Sequence, residues 1–165
     1  MSKNYFEIFD LELKLTIDLV KLRQKYFELQ KIYHPDSQNH NDLEMCLKIN
    51  EGYRILSSDI LRTSYLLELE NIFINKENTT IKPKPEILIL ALEKREELEN
   101  ESDINNLRKI QKDAQNKFND LKDIFEKLYL QKTFNKAAEI AIEMQYMNKL
   151  IEETISKINK ILEEI

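Results

Sequence analysis

Residues that break helices are scarce in this chain, and where they fall decides what it can become. Gly52 is the one glycine in 165 residues, and Pro35, Pro83 and Pro85 are the three prolines. Glycine and proline are the two residues most costly inside a helix, so the rest of the chain is free to be helical and the expected fold class is all-α. Pro35 has no backbone N–H to donate and biases His34 away from helical angles. A helix approaching it must stop, which puts His34-Pro35-Asp36 in an exposed loop. Pro83 and Pro85 close a second interruption that begins with the polar run Asn78-Thr79-Thr80.

The second break predicts a first unit over residues 1–74, a linker over 75–84 and a second unit over 85–165, while the first falls between two helices of the first unit. Tyr5, Phe6, Ile8, Phe9 and Leu11 make a short apolar opening, and a helix is predicted over 16–33 with Asp18 in its first turn. At about 100° per residue, Leu19, Leu22, Tyr26, Leu29 and Tyr33 share one arc, while Lys21, Arg23, Gln24, Phe27 and Lys31 face away. One stripe is expected to be core and the other wet and largely basic. An antiparallel helix over 42–56 carries Leu43, Leu47, Ile49, Asn50, Tyr53 and Leu56 at mostly helical spacing. Ser58-Asp59 then caps another, with Leu61, Tyr65, Leu66 and Leu69.

Pro85 suits a first helical position, and three helices are predicted after it: 85–100, 102 or 103 to 130, and 135–165. The last carries Met144, Met147, Ile151, Ile155, Ile158, Leu162 and Ile165 at alternating steps of three and four, a bundle seam. Short links favour an antiparallel up-down-up bundle.

Charge and cysteine content narrow the function. With 25 basic and 30 acidic residues the net charge is -5, which argues against gripping nucleic-acid phosphates yet leaves room for a local basic strip toward a protein partner. The longest apolar run, Ile87 to Leu92, is far too short to cross a bilayer. Met1-Ser2-Lys3-Asn4 lacks a signal or transit pattern, so no membrane association and a cytoplasmic location are expected. Cys46, the lone cysteine, cannot form an internal disulfide or a thiolate metal cluster and reads as core filler. His34, Asp36 and His40 are the only residues an enzyme or metal reading could use, and no nucleophile pattern accompanies them. No cofactor, no metal and no catalytic residue are expected.

The order helix, basic helix, Tyr33-His34-Pro35-Asp36, helix with Ile49-Asn50-Glu51-Gly52-Tyr53-Arg54-Ile55-Leu56, and capped helix resembles the J domain of DnaJ-type co-chaperones. Asp59-Ile60-Leu61-Arg62-Thr63-Ser64-Tyr65-Leu66-Leu67 and Glu93-Lys94-Arg95-Glu96-Glu97-Leu98-Glu99 extend the likeness to nearly the whole chain. They look like the HscB family, the J-type co-chaperones of bacterial iron-sulfur cluster assembly.

That resemblance implies an amino-terminal J domain, a helical hairpin with two short flanking helices, linked to a carboxy-terminal three-helix antiparallel bundle. It implies an adaptor that binds the cluster scaffold protein, delivers it to a specialised DnaK-class chaperone and stimulates that chaperone's ATPase, with no chemistry of its own. It assigns chaperone contact to His34, Pro35 and Asp36, with Asp36 pairing with a partner arginine. Arg23, Lys25 and Lys31 supply attraction to an acidic groove. Ser37-Gln38 stand where many J domains have a basic residue, and Glu28 interrupts the basic face. It assigns scaffold contact to Leu88, Ile89, Leu92, Glu93, Glu96 and Asn100, with Tyr146 on the last helix. Asn100 stands where the family has an acid. The physical reading agrees, since six apolar residues in a row exceed what one buried stripe needs, whereas Ile87, Ala91 and Leu98 face the opposite way, toward the other two helices. The alternative is a J-domain co-chaperone that carries a different client through its bundle.

Overall fold

The computed structural model describes residues 3–33, 43–74 and 81–164, and among these the chain forms seven α-helices and no strand. They are α1 (Tyr5–Ile8), α2 (Leu19–Tyr33), α3 (Leu43–Ser57), α4 (Asp59–Leu69), α5 (Pro85–Asn100), α6 (Ile104–Leu130) and α7 (Phe134–Glu163). His34, Pro35, Asp36, Ser37, Gln38, His40 and Asn78-Thr79-Thr80 lie outside the described residues. Two compact units divide at Leu69 and Glu70, so residues 70–74 cluster with the second unit.

In the first unit Asn4 caps α1, accepting from the Glu7 backbone N–H at 2.9 Å while Glu7 accepts from the Asn4 N–H at 2.8 Å. The second helix begins at Leu19 rather than Thr16 because Asp18 stands outside it and caps it, accepting from the Val20 and Lys21 N–H groups. α2 and α3 pair antiparallel through Tyr26, whose ring stacks on Tyr53 at 4.2 Å and whose hydroxyl donates to Asn50 Oδ1. Gln30 donates to the same oxygen at 2.6 Å. Gly52 lies on α3 where α1 crosses it: a Cβ there would come within 2.9 Å of both Phe9 and Tyr5. The missing side chain is what lets the aromatic opening of the chain lie on the hairpin.

Several expected core positions are wet. Leu19 is exposed, as are Leu43 and Leu47. The stripe α3 buries is Cys46, Ile49, Gly52 and Leu56, set by the α1 contact at Gly52, and this rotates Leu43 and Leu47 to solvent. In α4 the buried residues include Arg62, Thr63, Ser64, Leu66 and Leu67, whereas Leu61, Tyr65 and Leu69 are half-buried.

Arg62 is 2% exposed. Its Nε donates to the Leu15 carbonyl at 2.7 Å, Nη1 donates to the Leu56 carbonyl and Nη2 pairs with Asp59. One guanidinium thus ties the segment before α2, the end of α3 and the start of α4 together. Replacing it leaves buried acceptors unmet, so Arg62→Met should lower stability by about 3 kcal/mol, read as a lower thermal midpoint. An unchanged midpoint would mean that water or a neighbour takes over those acceptors.

The second unit is built on α6 and α7. Leu107, Ile110, Ala114, Phe118, Leu121, Phe125 and Tyr129 form the buried stripe of α6 at steps of three and four. Asp103 caps this helix, accepting from the Asn105 and Asn106 N–H groups. The 3.4 Å pair Lys117–Glu143 marks an antiparallel register, which sets Ala137, Ala138 and Ala141 opposite the stretch carrying Phe118, Leu121 and Phe125, small against large. The seam of α7 differs from the sequence expectation. Met144, Met147, Ile151 and Ile158 are buried, but Thr154 takes the place expected of Ile155, and Ile155 and Leu162 are exposed. Thr154 can sit there because its hydroxyl donates to the Leu150 carbonyl at 2.7 Å.

Tyr129 stacks on Phe125 and donates to Glu70 at 3.3 Å. Burial, reinforced by Glu70, pushes its phenol up to about 12, so it stays a donor at any ordinary pH. α5 runs parallel to α7: Lys84 meets Glu139 at 2.9 Å, Arg95 meets Glu153 at 2.8 Å, and Lys157 donates to the Leu98 and Glu99 carbonyls, closing the end of α5. This is the up-down-up order. Leu98 is the buried anchor of α5, while Ile87 and Ala91 are half-buried; α5 leans mainly on α7 rather than on both neighbours.

Candidate functional site

Because α5 is apolar on every side of its first half and buries only Leu98 fully, it presents surface that the fold does not use. Leu88 is 39%, Ile89 56% and Leu92 66% exposed. Leu88 and Leu92 stand one turn apart, and across from them Tyr146 of α7 is half-buried. The three line a cavity of about 330 Å³ whose wall includes Met147 and Leu150. Ile89, Glu93, Glu96 and Asn100 do not line it. They are exposed and continue around the outer side of α5 as a mixed apolar and acidic lip. Asn100 turns back on its own helix, donating to the Glu96 carbonyl at 3.0 Å.

The opposite rim is basic, and sequence reasoning passed over it. Arg95 and Lys149 both border the cavity and share one carboxylate, Glu153, at 2.8 and 4.0 Å. The hydrogen bond and charge of Glu153 raise the already high pKa of Arg95. The signal was present, since Arg95 is three residues from Leu92 and seven from Leu88, on the same helical face. An apolar hollow between an acidic and a basic lip has the chemistry that a protein-binding surface needs, and the unlike lips would favour one orientation of a partner.

In the first unit, Lys21, Arg23 and Lys31 are exposed and Lys25 is half-buried, 4.0 Å from Glu28. These cations occupy two lanes of α2. Lys21 and Lys25 share one with Glu28, while Arg23 and Lys31 share another with Phe27 between them. The Arg23 guanidinium lies 5.7 Å from the Phe27 ring centroid, and that ring is itself exposed. The face is therefore wet and largely basic, as expected, with the exposed Phe27 ring at its centre. Tyr33 ends α2, and the other three residues of the Tyr33-His34-Pro35-Asp36 motif lie outside the described region.

Among the described residues there is no group of His, Cys, Asp and Glu that could hold a metal, and no helix long and apolar enough to cross a membrane. Cys46 is buried.

Comparison with known proteins adds three findings. Residues 83–155 match the family model described as the HSCB C-terminal oligomerisation domain. The chain is 32% identical over 161 residues to a co-chaperone protein HscB homolog of Shewanella woodyi, covering 89% of this chain and 92% of that one. It is 30% identical over 164 residues to the iron-sulfur cluster co-chaperone protein HscB homolog of Arabidopsis thaliana, covering 95% of this chain and 64% of that longer one. Among solved structures, that of human co-chaperone protein HscB superimposes with a TM-score of 0.84 at 25% identity, over 94% of this chain and 82% of that one.

Proposed function

Given that the chain belongs to the HscB family of iron-sulfur cluster co-chaperones, we propose that it is a two-ended adaptor. Its bundle binds the protein scaffold on which a cluster is assembled, and its first unit brings that cargo to a specialised DnaK-class chaperone and stimulates the chaperone's ATPase. It regulates a partner's catalysis and performs none itself. The setting we assign to it is the bacterial cytoplasm.

The observation that carries this reading is the surplus apolar surface of α5. Burying Leu88 and Leu92 in a partner would remove from water what the bundle leaves exposed. Glu93 and Glu96 on one side and Arg95 and Lys149 on the other would select the partner's orientation. At the other end, Arg23, Lys25 and Lys31 supply long-range attraction to an acidic chaperone surface, and His34, Pro35 and Asp36 supply the short-range contacts. Affinity capture with the full chain tests the assignment: recovery of the cluster scaffold supports it, whereas recovery of a different client in its place supports a J protein of another pathway.

The two ends should respond differently to salt. Exposed ion pairs are screened far more than an apolar anchor, so raising salt from low to moderate should weaken chaperone binding more steeply than scaffold binding. Calorimetry on the two complexes measures both slopes, and equal slopes would undercut this division of labour.

A further inference from the structure

The cavity at Leu88 and Leu92 does not end at Tyr146. On the far side of that ring lies a second cavity of about 450 Å³, lined by Ile74, Ile81 and Pro83 from the segments before α5 and by Ile142 of α7. Tyr146 and Lys149 border both hollows, so the two adjoin along α7 as a groove with the Tyr146 ring between them. Four of the charged residues lining the two cavities are basic, Lys82, Lys94, Arg95 and Lys149, against one acid, Glu153. The lining is thus net basic in a chain of net charge -5, although Glu93 and Glu96 stand on the outer lip of the first hollow and Lys94 pairs with Glu97.

We propose that this groove holds one extended, acidic segment of the scaffold protein by two apolar anchors. One sits at Leu88 and Leu92 and the other beyond Tyr146 against Ile81, Pro83 and Ile142, with the segment's carboxylates meeting Lys82, Arg95 and Lys149. The inference rests on the scaffold-binding reading above. Its geometry is specific: Ile142, Tyr146 and Leu150 are successive turns of α7, spanning about 12 Å, which an extended strand crosses in about three or four residues. The two anchors should therefore be separated by about that number of residues in the scaffold. Residues 81–83, which the sequence offered only as linker, become part of the binding site.

Calorimetry with the purified scaffold protein, run against the full chain and three variants, tests this. Ile81→Ser removes one wall of the second cavity outside any helix, and Lys82→Glu with Lys149→Glu reverses the rim at exposed positions. Each should weaken scaffold binding by about tenfold, with the stimulation of the chaperone by the free co-chaperone unchanged. Leu88→Ala with Leu92→Ala serves as the third. If only that last variant loses affinity, the second anchor is wrong while scaffold binding at α5 stands. If it binds like the parent, the scaffold reading itself falls and the two-anchor groove with it. Should Ile81→Ser also lower the melting temperature, the lysine reversal alone decides. A dimer of the parent in sedimentation that Ile81→Ser disperses, with scaffold affinity unaltered, would assign the groove to a second copy of this chain and overturn the proposal.

Discussion

Either His34→Gln or Asp36→Asn should reduce stimulation of the DnaK-class chaperone to its unstimulated rate while leaving this protein's helix content and melting nearly unchanged. The contrast follows from where the fold draws its stability. α2 ends at Tyr33 and α3 starts at Leu43, and the pair is held by Tyr26 on Tyr53, by Tyr26 and Gln30 on Asn50, and by buried Leu22 and Ile49. Those contacts do not involve positions 34–36, so stability should move by no more than about 0.5 kcal/mol. Function has no such margin. In the function proposed above Asp36 would meet a partner arginine, and losing a charge-assisted hydrogen bond costs about 1.5–3 kcal/mol at a contact that must also be correctly oriented. Steady-state ATP turnover with the chaperone in excess of its own basal rate, beside circular dichroism melts, measures both quantities. Parental stimulation by either variant would remove the motif from the function.

The scarcity of glycine and proline made the helical class legible, and the bundle's helix limits follow from Pro85, from Asp103 as a cap and from the seams of α6 and α7. What sequence periodicity missed has a common cause. A helical wheel ranks residues by apolarity on one helix and cannot know which neighbour arrives. Leu43 and Leu47 look like core until α1 crosses at Gly52 and fixes the buried side of α3 through Cys46 and Ile49. Thr154 looks polar until its hydroxyl is bonded within its own helix, after which it can fill a seam position that Ile155 was expected to take. Arg62 was readable only as part of a family likeness, because its role depends on carbonyls of Leu15 and Leu56 brought together by the fold. The same limit applies at the candidate site. Excess apolarity from Ile87 to Leu92 announced a surface and the spacing of Arg95 placed it on the same face, but the contribution of Lys149 to the basic rim and the second hollow at Ile81 needed α7 in place.

Replacing Leu88 and Leu92 together with alanine should cost roughly 2–4 kcal/mol of scaffold affinity, a loss of about thirtyfold to a thousandfold, with little change in the melt. Both side chains are substantially exposed in the free protein, so truncation leaves no sealed cavity, and alanine is the best helix former. Leu98→Ala is the matched opposite. Leu98 is 5% exposed and is the buried residue by which α5 holds to the bundle, so its truncation should destabilise by about 2–5 kcal/mol through the cavity it leaves. The Arg95–Glu153 pair and the Lys157 cap are solvent-facing contacts that offset little of that loss. Scaffold titration and thermal melts on both variants therefore separate a binding face from a packing face on a single helix. If the Leu88 and Leu92 variant melts as early as Leu98→Ala, these leucines belong to the bundle's own packing, and α5 has no free face to offer a partner.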